Sequence, residues 1–99
     1  MLRRMDIYLY DEIEAGASIR FIEQIRGAGA ITLHLNSPGG LVGEGLAIYN
    51  ALRSHPKPVR VEIDGFACSI ASVIAMGGRE VVMCESAVLM IPDPWMGSA

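Results

Sequence analysis

Ile31-Thr-Leu-His-Leu-Asn-Ser-Pro-Gly-Gly40 is the stretch on which the fold is decided. From Ala30 to Leu35 it is rich in apolar and β-branched residues and predicts a strand. Asn36-Ser37-Pro38-Gly39-Gly40 breaks that strand sharply, and from Leu41 to Ser54 the residues Gly45, Ile48, Tyr49 and Leu52 recur at helical spacing. Paired glycines let backbone N–H groups face a ligand without side-chain obstruction, and a helix start adds partial positive charge. Such a turn suits an oxyanion or a peptide backbone, although five residues alone also read as a plain proline-glycine turn.

Working outward, Met5 to Tyr10 alternates and reads as a first strand, and the acidic run Asp11 to Glu14 as a solvated loop. Ser18 is placed to cap a helix carrying Phe21, Ile22 and Ile25, ended by Gly27 and Gly29. His55-Pro-Lys-Pro58 stops the second helix, because proline lacks an N–H and restricts the residue before it. Val59 to Ile63 is a third strand, Asp64-Gly65 a turn, and Ser69 to Met76 a small-residue helix closed by Gly77-Gly78. Glu80 to Cys84 and Ala87 to Ile91 are two further strands around Glu85-Ser86. The order β-α-β-α-β-α-β-β favours an α/β fold with a mainly parallel sheet.

The 99 residues suit one small domain, 1–99. They are 52% hydrophobic and 19% charged, with mean hydropathy +0.37, which excludes a disordered chain. That oiliness predicts apolar surface covered by other subunits, a homo-oligomer. A net charge of −3 supplies no basic field for nucleic acid or an anionic membrane. No run reaches the about 18–20 apolar residues of a membrane span, and no charged leader opens the chain, so a cytoplasmic setting is expected. Cys68 and Cys84 form no disulfide framework, and no metal, phosphate-loop or cofactor motif stands out.

A second turn, Asp64-Gly-Phe-Ala-Cys-Ser69-Ile-Ala-Ser72, brings a serine from a strand end to a helix start. There N–H groups and the helix dipole favour developing negative charge, the setting of a nucleophile. Read alone, Ser69 is first of all an ordinary N-cap. Both turns fall at carboxyl ends of strands, where open α/β sheets place ligands, and Gly40 precedes Ser69 by 29 residues.

The pair resembles the Clp protease proteolytic-subunit family, particularly its phage head-maturation (prohead) branch. The matching stretches are Ile31 to Gly40, Ala47-Ile-Tyr-Asn-Ala-Leu52, Asp64 to Gly77, and Leu89-Met-Ile-Pro-Asp-Pro-Trp95. The resemblance implies ClpP/crotonase-like repeated β-β-α/β-α units, of which this chain holds the N-terminal part. It implies Ser69 as nucleophile and the backbone N–H groups of Gly40 and Ile70 as oxyanion hole. Gly39 and Leu41 fall on the substrate-binding segment, with capsid or scaffold protein as the implied substrate.

The same resemblance puts the family's histidine base in the segment matching Leu89 to Pro94, where this chain has Pro92 followed by Asp93. Proline cannot accept a proton, and an ordinary aspartate with a pKa of about 3.9 is poorly matched to serine. His34 falls inside the second strand and His55 at the far end of the following helix, so both read as core or surface histidines. Lys57, the only lysine, sits before the third strand, whereas Ser69 lies beyond its other end. Cys68 reads as packing, Tyr8, Tyr10 and Tyr49 as core and edge residues, and Trp95 with Met96 as a subunit or surface anchor. The expectation is a serine peptidase subunit weak or inactive alone. The alternatives are a non-catalytic subunit of a ring, and, from another enzyme class, a crotonase-like acyl-CoA enzyme.

Overall fold

The computed structural model describes residues 3–92. The elements are β1 (Met5–Tyr10), α1 (Ala17–Ile25), β2 (Ile31–Ser37), α2 (Val42–Ser54), β3 (Val59–Cys68), α3 (Ile70–Ala75), β4 (Glu80–Met83) and β5 (Val88–Met90). Every strand pairing among the described residues is parallel, in the order β1-β2-β3-β4, with β5 on the far half of β3. The α/β class and the parallel sheet expected from the helical crossovers are what the chain forms.

Alternation sorts the strand residues between two faces. Ile7, Leu33, Leu35, Val61 and Ile63 point into a core completed by Phe21 and Ile25 of α1, Ile48 and Leu52 of α2, and Ile74 of α3. The opposite face carries Asp6, Tyr8, Tyr10, His34, Glu62 and Asp64, and Tyr8 is 63% exposed there. Tyr8 and Tyr10 are therefore edge residues, on β1 at the side of the sheet, rather than core. No helix among the described residues is long and apolar enough to cross a membrane.

Three local expectations are corrected. Asp64-Gly65 is not a turn: β3 continues to Cys68, because Asn36 Oδ1 accepts the Phe66 N–H at 2.9 Å and β5 pairs with Phe66, Ala67 and Cys68. The β2–β3 register shifts there, between Leu35 and Ser37, and a side chain substitutes for a missing ladder bond. The loop 11–14 is not wholly solvated, since Ile13 is 1% exposed and bridges Gly40.

The third concerns Ser18, which caps nothing. Gly16, at φ 88°, stands at the N-cap of α1, and the Ser18 N–H is itself satisfied by Glu44 Oε1 of α2 at 2.8 Å. Chiefly that backbone N–H, and with it the Ser18 side chain, holds the Glu44 carboxyl below its usual value. A depressed carboxylate contributes stability that is present above its unfolded pKa and lost as pH falls through the folded one. The contribution of Glu44 should therefore fade below about pH 4.5, the ordinary value. Glu44→Gln is expected to flatten that part of the acid limb in urea unfolding measured from pH 6 to pH 3.

Candidate active site

The two Gly- and Ser-containing turns meet in space. A β-carbon placed on Gly39 would lie 2.9 Å from both Ser69 Cβ and Cys68 O, and 3.5 Å from Ser69 Oγ. Only a residue without a side chain allows that approach, and Gly39 also has φ +110°, which an L side chain resists. Ser37, fully buried, accepts the Gly39 N–H on its Oγ at 3.1 Å. The neighbouring Ile13 donates to Gly39 O at 2.8 Å and accepts from the Leu41 N–H at 2.9 Å. That bridge leaves the Gly40 N–H without a partner among the described residues. Leu41 beside it is half exposed.

Ser69 occupies the N-cap position of α3, yet its side chain makes no cap bond. Its backbone lies at φ 57°, ψ −130°, a conformation costing a non-glycine residue about 1–3 kcal/mol. Three bonds hold it there. The Ser69 N–H donates to Met90 O at 2.9 Å, and Ser69 O accepts the Ser72 N–H at 2.9 Å and the Ser72 hydroxyl at 2.6 Å. The strained turn projects a half-buried hydroxyl beside the start of α3, whose first residue is Ile70. Gly45 of α2 meets the Ile70 side chain so closely that no β-carbon fits, which seats α3 against α2.

The bond from Ser69 to Met90 also locates the end of β5. Pro92 follows two residues later, so the segment in which a base was sought does run beside Ser69. Asp93, Pro94, Trp95 and Met96 lie outside the described residues. Among the described residues no histidine or lysine reaches the serine. His34 pairs in register with Glu62, seven residues before Ser69 on β3, roughly 20 Å away at the usual strand rise. His55 Nε2 lies 2.7 Å from Gly29 O, near the N-terminal ends of the strands. Lys57 is exposed in the same loop. Cys68 is half-buried and free, as is Cys84.

Sequence reasoning missed the polar group on the open face. Tyr10 donates to Asp64 Oδ2 at 2.6 Å, Cys84 Sγ to Asp64 Oδ1 at 3.3 Å, and His34 stacks on Tyr8 with ring centroids 4.3 Å apart. Burial raises the Asp64 carboxyl, but the Tyr10 and Cys84 bonds and the nearby His34 outweigh it and hold it below the usual range. The reciprocal effect, led by the bond to Asp64, pushes Tyr10 up from 10.0 to about 12. A raised phenol favours the fold below its unfolded pKa and loses that contribution as pH rises through the folded one, here between pH 10.0 and about 12. Ultraviolet titration of the folded chain is expected to show a tyrosine ionising near pH 12, absent in Tyr10→Phe.

A family model described as Clp protease matches residues 1–99. The chain belongs to the Clp protease family. The ATP-dependent Clp protease proteolytic subunit 1 of Borreliella burgdorferi is 34% identical over 107 residues, covering 98% of this chain and 54% of that protein. The ClpP protease catalytic domain from Plasmodium falciparum superposes with a TM-score of 0.78 at 30% identity, over 87% of this chain and 53% of the other. ClpP1 from Listeria monocytogenes gives a TM-score of 0.80 over 88% of this chain and 56% of the other; at 21% identity it bears on the fold alone. The chain thus spans about half the length of these Clp protease relatives.

Proposed function

We propose that this chain is a serine-type peptidase subunit of the Clp protease family whose site holds a nucleophile and oxyanion donors but no evident base among the described residues. Ser69 is the nucleophile, the Gly40 and Ile70 N–H groups receive the oxyanion, and Gly39 with Leu41 lies along the peptide. The observation that supports this reading is the close approach of Gly39 to Ser69, where a β-carbon would meet Ser69 Cβ at 2.9 Å, one residue before the unpartnered Gly40 N–H. Preorganised N–H donors stabilise the tetrahedral oxyanion of amide cleavage.

The missing base governs the rate. Attack by the hydroxyl requires removal of its proton, and the Pro92 side chain has no basic atom to accept it. Alone, the chain is a very weak or inactive peptidase. The run of ordered motifs from Ile31 to Trp95 supports the phage or prophage head-maturation branch, acting on capsid or scaffold protein in the host cytoplasm. A second reading, a non-catalytic subunit of a homo-oligomer, is favoured by the apolar side chains around the site. Val42 and Phe66 are half exposed, and Ile91 is 72% exposed.

Incubation with unfolded casein, alongside Ser69→Ala, tests the reading. The expected result is no peptide release above the Ser69→Ala background. Steady release abolished in Ser69→Ala would overturn the inactive state.

A further inference from the structure

We propose that His34, Glu62 and Asp64 form a binding site for a first-row divalent cation, Zn²⁺ foremost, on the open face of the sheet. The site is separate from Ser69 and does not depend on the reading of that serine.

Parallel register builds it. His34 of β2 stands opposite Glu62 of β3, and Asp64 follows on the same face one alternation later. His34 Nδ1 lies 3.3 Å from Asp64 Oδ2 and 3.6 Å from Glu62 Oε1. One donor atom from each of the three residues falls within 4.8 Å of the others. Tetrahedral zinc with bonds of about 2.0–2.1 Å separates neighbouring ligand atoms by about 3.3–3.4 Å, close to both distances from Nδ1.

The tautomer supplies a second argument. His34 Nε2 lies 3.2 Å from Asp6 Oδ1, and an ionised carboxylate can only accept, so one of the two neutral tautomers has its Nε2–H directed at Asp6. In that tautomer Nδ1 presents a lone pair to two carboxylate oxygens, the form a cation would bind, whereas a protonated Nδ1 would donate to Asp64 instead. A proton on Nδ1 serves one oxygen well; a divalent ion serves all three atoms. The Asp6–imidazole pair is also the arrangement by which metal-bound histidines are oriented and made more basic.

The surroundings fix the ligands. Tyr10 holds Asp64 Oδ2 at 2.6 Å, and Arg60 Nε holds Glu62 Oε2 at 2.9 Å, leaving Oε1 toward the histidine. Arg60 also pairs with Glu80 at 3.1 Å, so its guanidinium is shared between Glu62 and Glu80, while Asp6 and Asp64 flank the histidine. Imidazole with carboxylates selects zinc and its first-row neighbours over Mg²⁺ or Ca²⁺, which prefer oxygen alone.

The test is competition for ZnCl₂ between the metal-free 99-residue chain and a chromophoric chelator at pH 7.5. One zinc per chain is expected at micromolar or better affinity. His34→Gln, Glu62→Gln and Asp64→Asn should each weaken it by about tenfold or more, as should Asp6→Asn acting through the imidazole. Cys68→Ser and Cys84→Ser should leave it unchanged. Thermal melts without zinc identify any variant that fails to fold. ¹⁵N shifts of the imidazole in the natural chain then give a readout that needs no variant, with Nδ1 as the coordinating atom. No saturable binding below millimolar zinc, binding that survives His34→Gln, or loss confined to Cys84→Ser would each overturn the site.

Discussion

Pro92→His is expected to raise Ser69-dependent cleavage of a fluorogenic peptide by about 10²-fold, the lower end of what a positioned general base contributes. The reason is geometric. Met90 O accepts the Ser69 N–H at 2.9 Å, and residue 92 comes next but one along the same segment. An imidazole there, with an ordinary pKa of about 6.5, is neutral at pH 8 and able to take the hydroxyl proton. The gain should therefore appear as pH rises through about 6–7, and Ser69→Ala in the Pro92→His background should abolish it. A folded Pro92→His chain with no gain would show that residue 92 does not present its side chain to the serine.

Gly40→Ala is expected to be the most destabilising single-methyl addition, by about 3 kcal/mol. The new β-carbon would collide with the backbone oxygen, carbon and nitrogen of Ile13, none of which can swing aside as a side-chain end would. Relief requires parting the bridge in which Ile13 donates to Gly39 O and accepts from Leu41. Gly43→Ala is the matched control: nothing lies within 4 Å of its β-carbon, and inside α2 alanine favours helix over glycine by up to about 1 kcal/mol. Urea unfolding of the two variants should move the midpoint in opposite directions. Equal, small shifts would mean that the Ile13 bridge is not a fixed part of the turn.

The strands and helices with strong periodicity were legible from the sequence: β1, α2 and the order of all eight elements follow from apolar spacing and from the prolines at 56 and 58. Features made by contacts distant in sequence were not. Asp64-Gly65 looks like a turn because nothing local reveals that Asn36, 30 residues before Phe66, will accept its N–H. Ser18 has the composition of a cap, but Glu44 on another helix reaches its N–H instead. Ile13 sits among acidic residues and is buried only because Gly40 comes to meet it.

The two turns of the site were legible, since glycines and a serine at strand ends announce their backbone requirements. The strain at Ser69, and the hydroxyls of Ser37 and Ser72 that hold the turns, were not. The polar face was hidden for a different reason. Asp6, His34, Glu62 and Asp64 each look like the solvated half of an alternating strand, and only the register of three strands makes them neighbours.

The most direct test of the site is the intact mass of the natural chain after treatment with a fluorophosphonate probe, beside Ser69→Ala. An oxyanion site without a base should leave the mass unchanged in a chain whose spectrum confirms folding. A stoichiometric adduct that disappears in Ser69→Ala would contradict this, showing that Ser69 is activated despite Pro92.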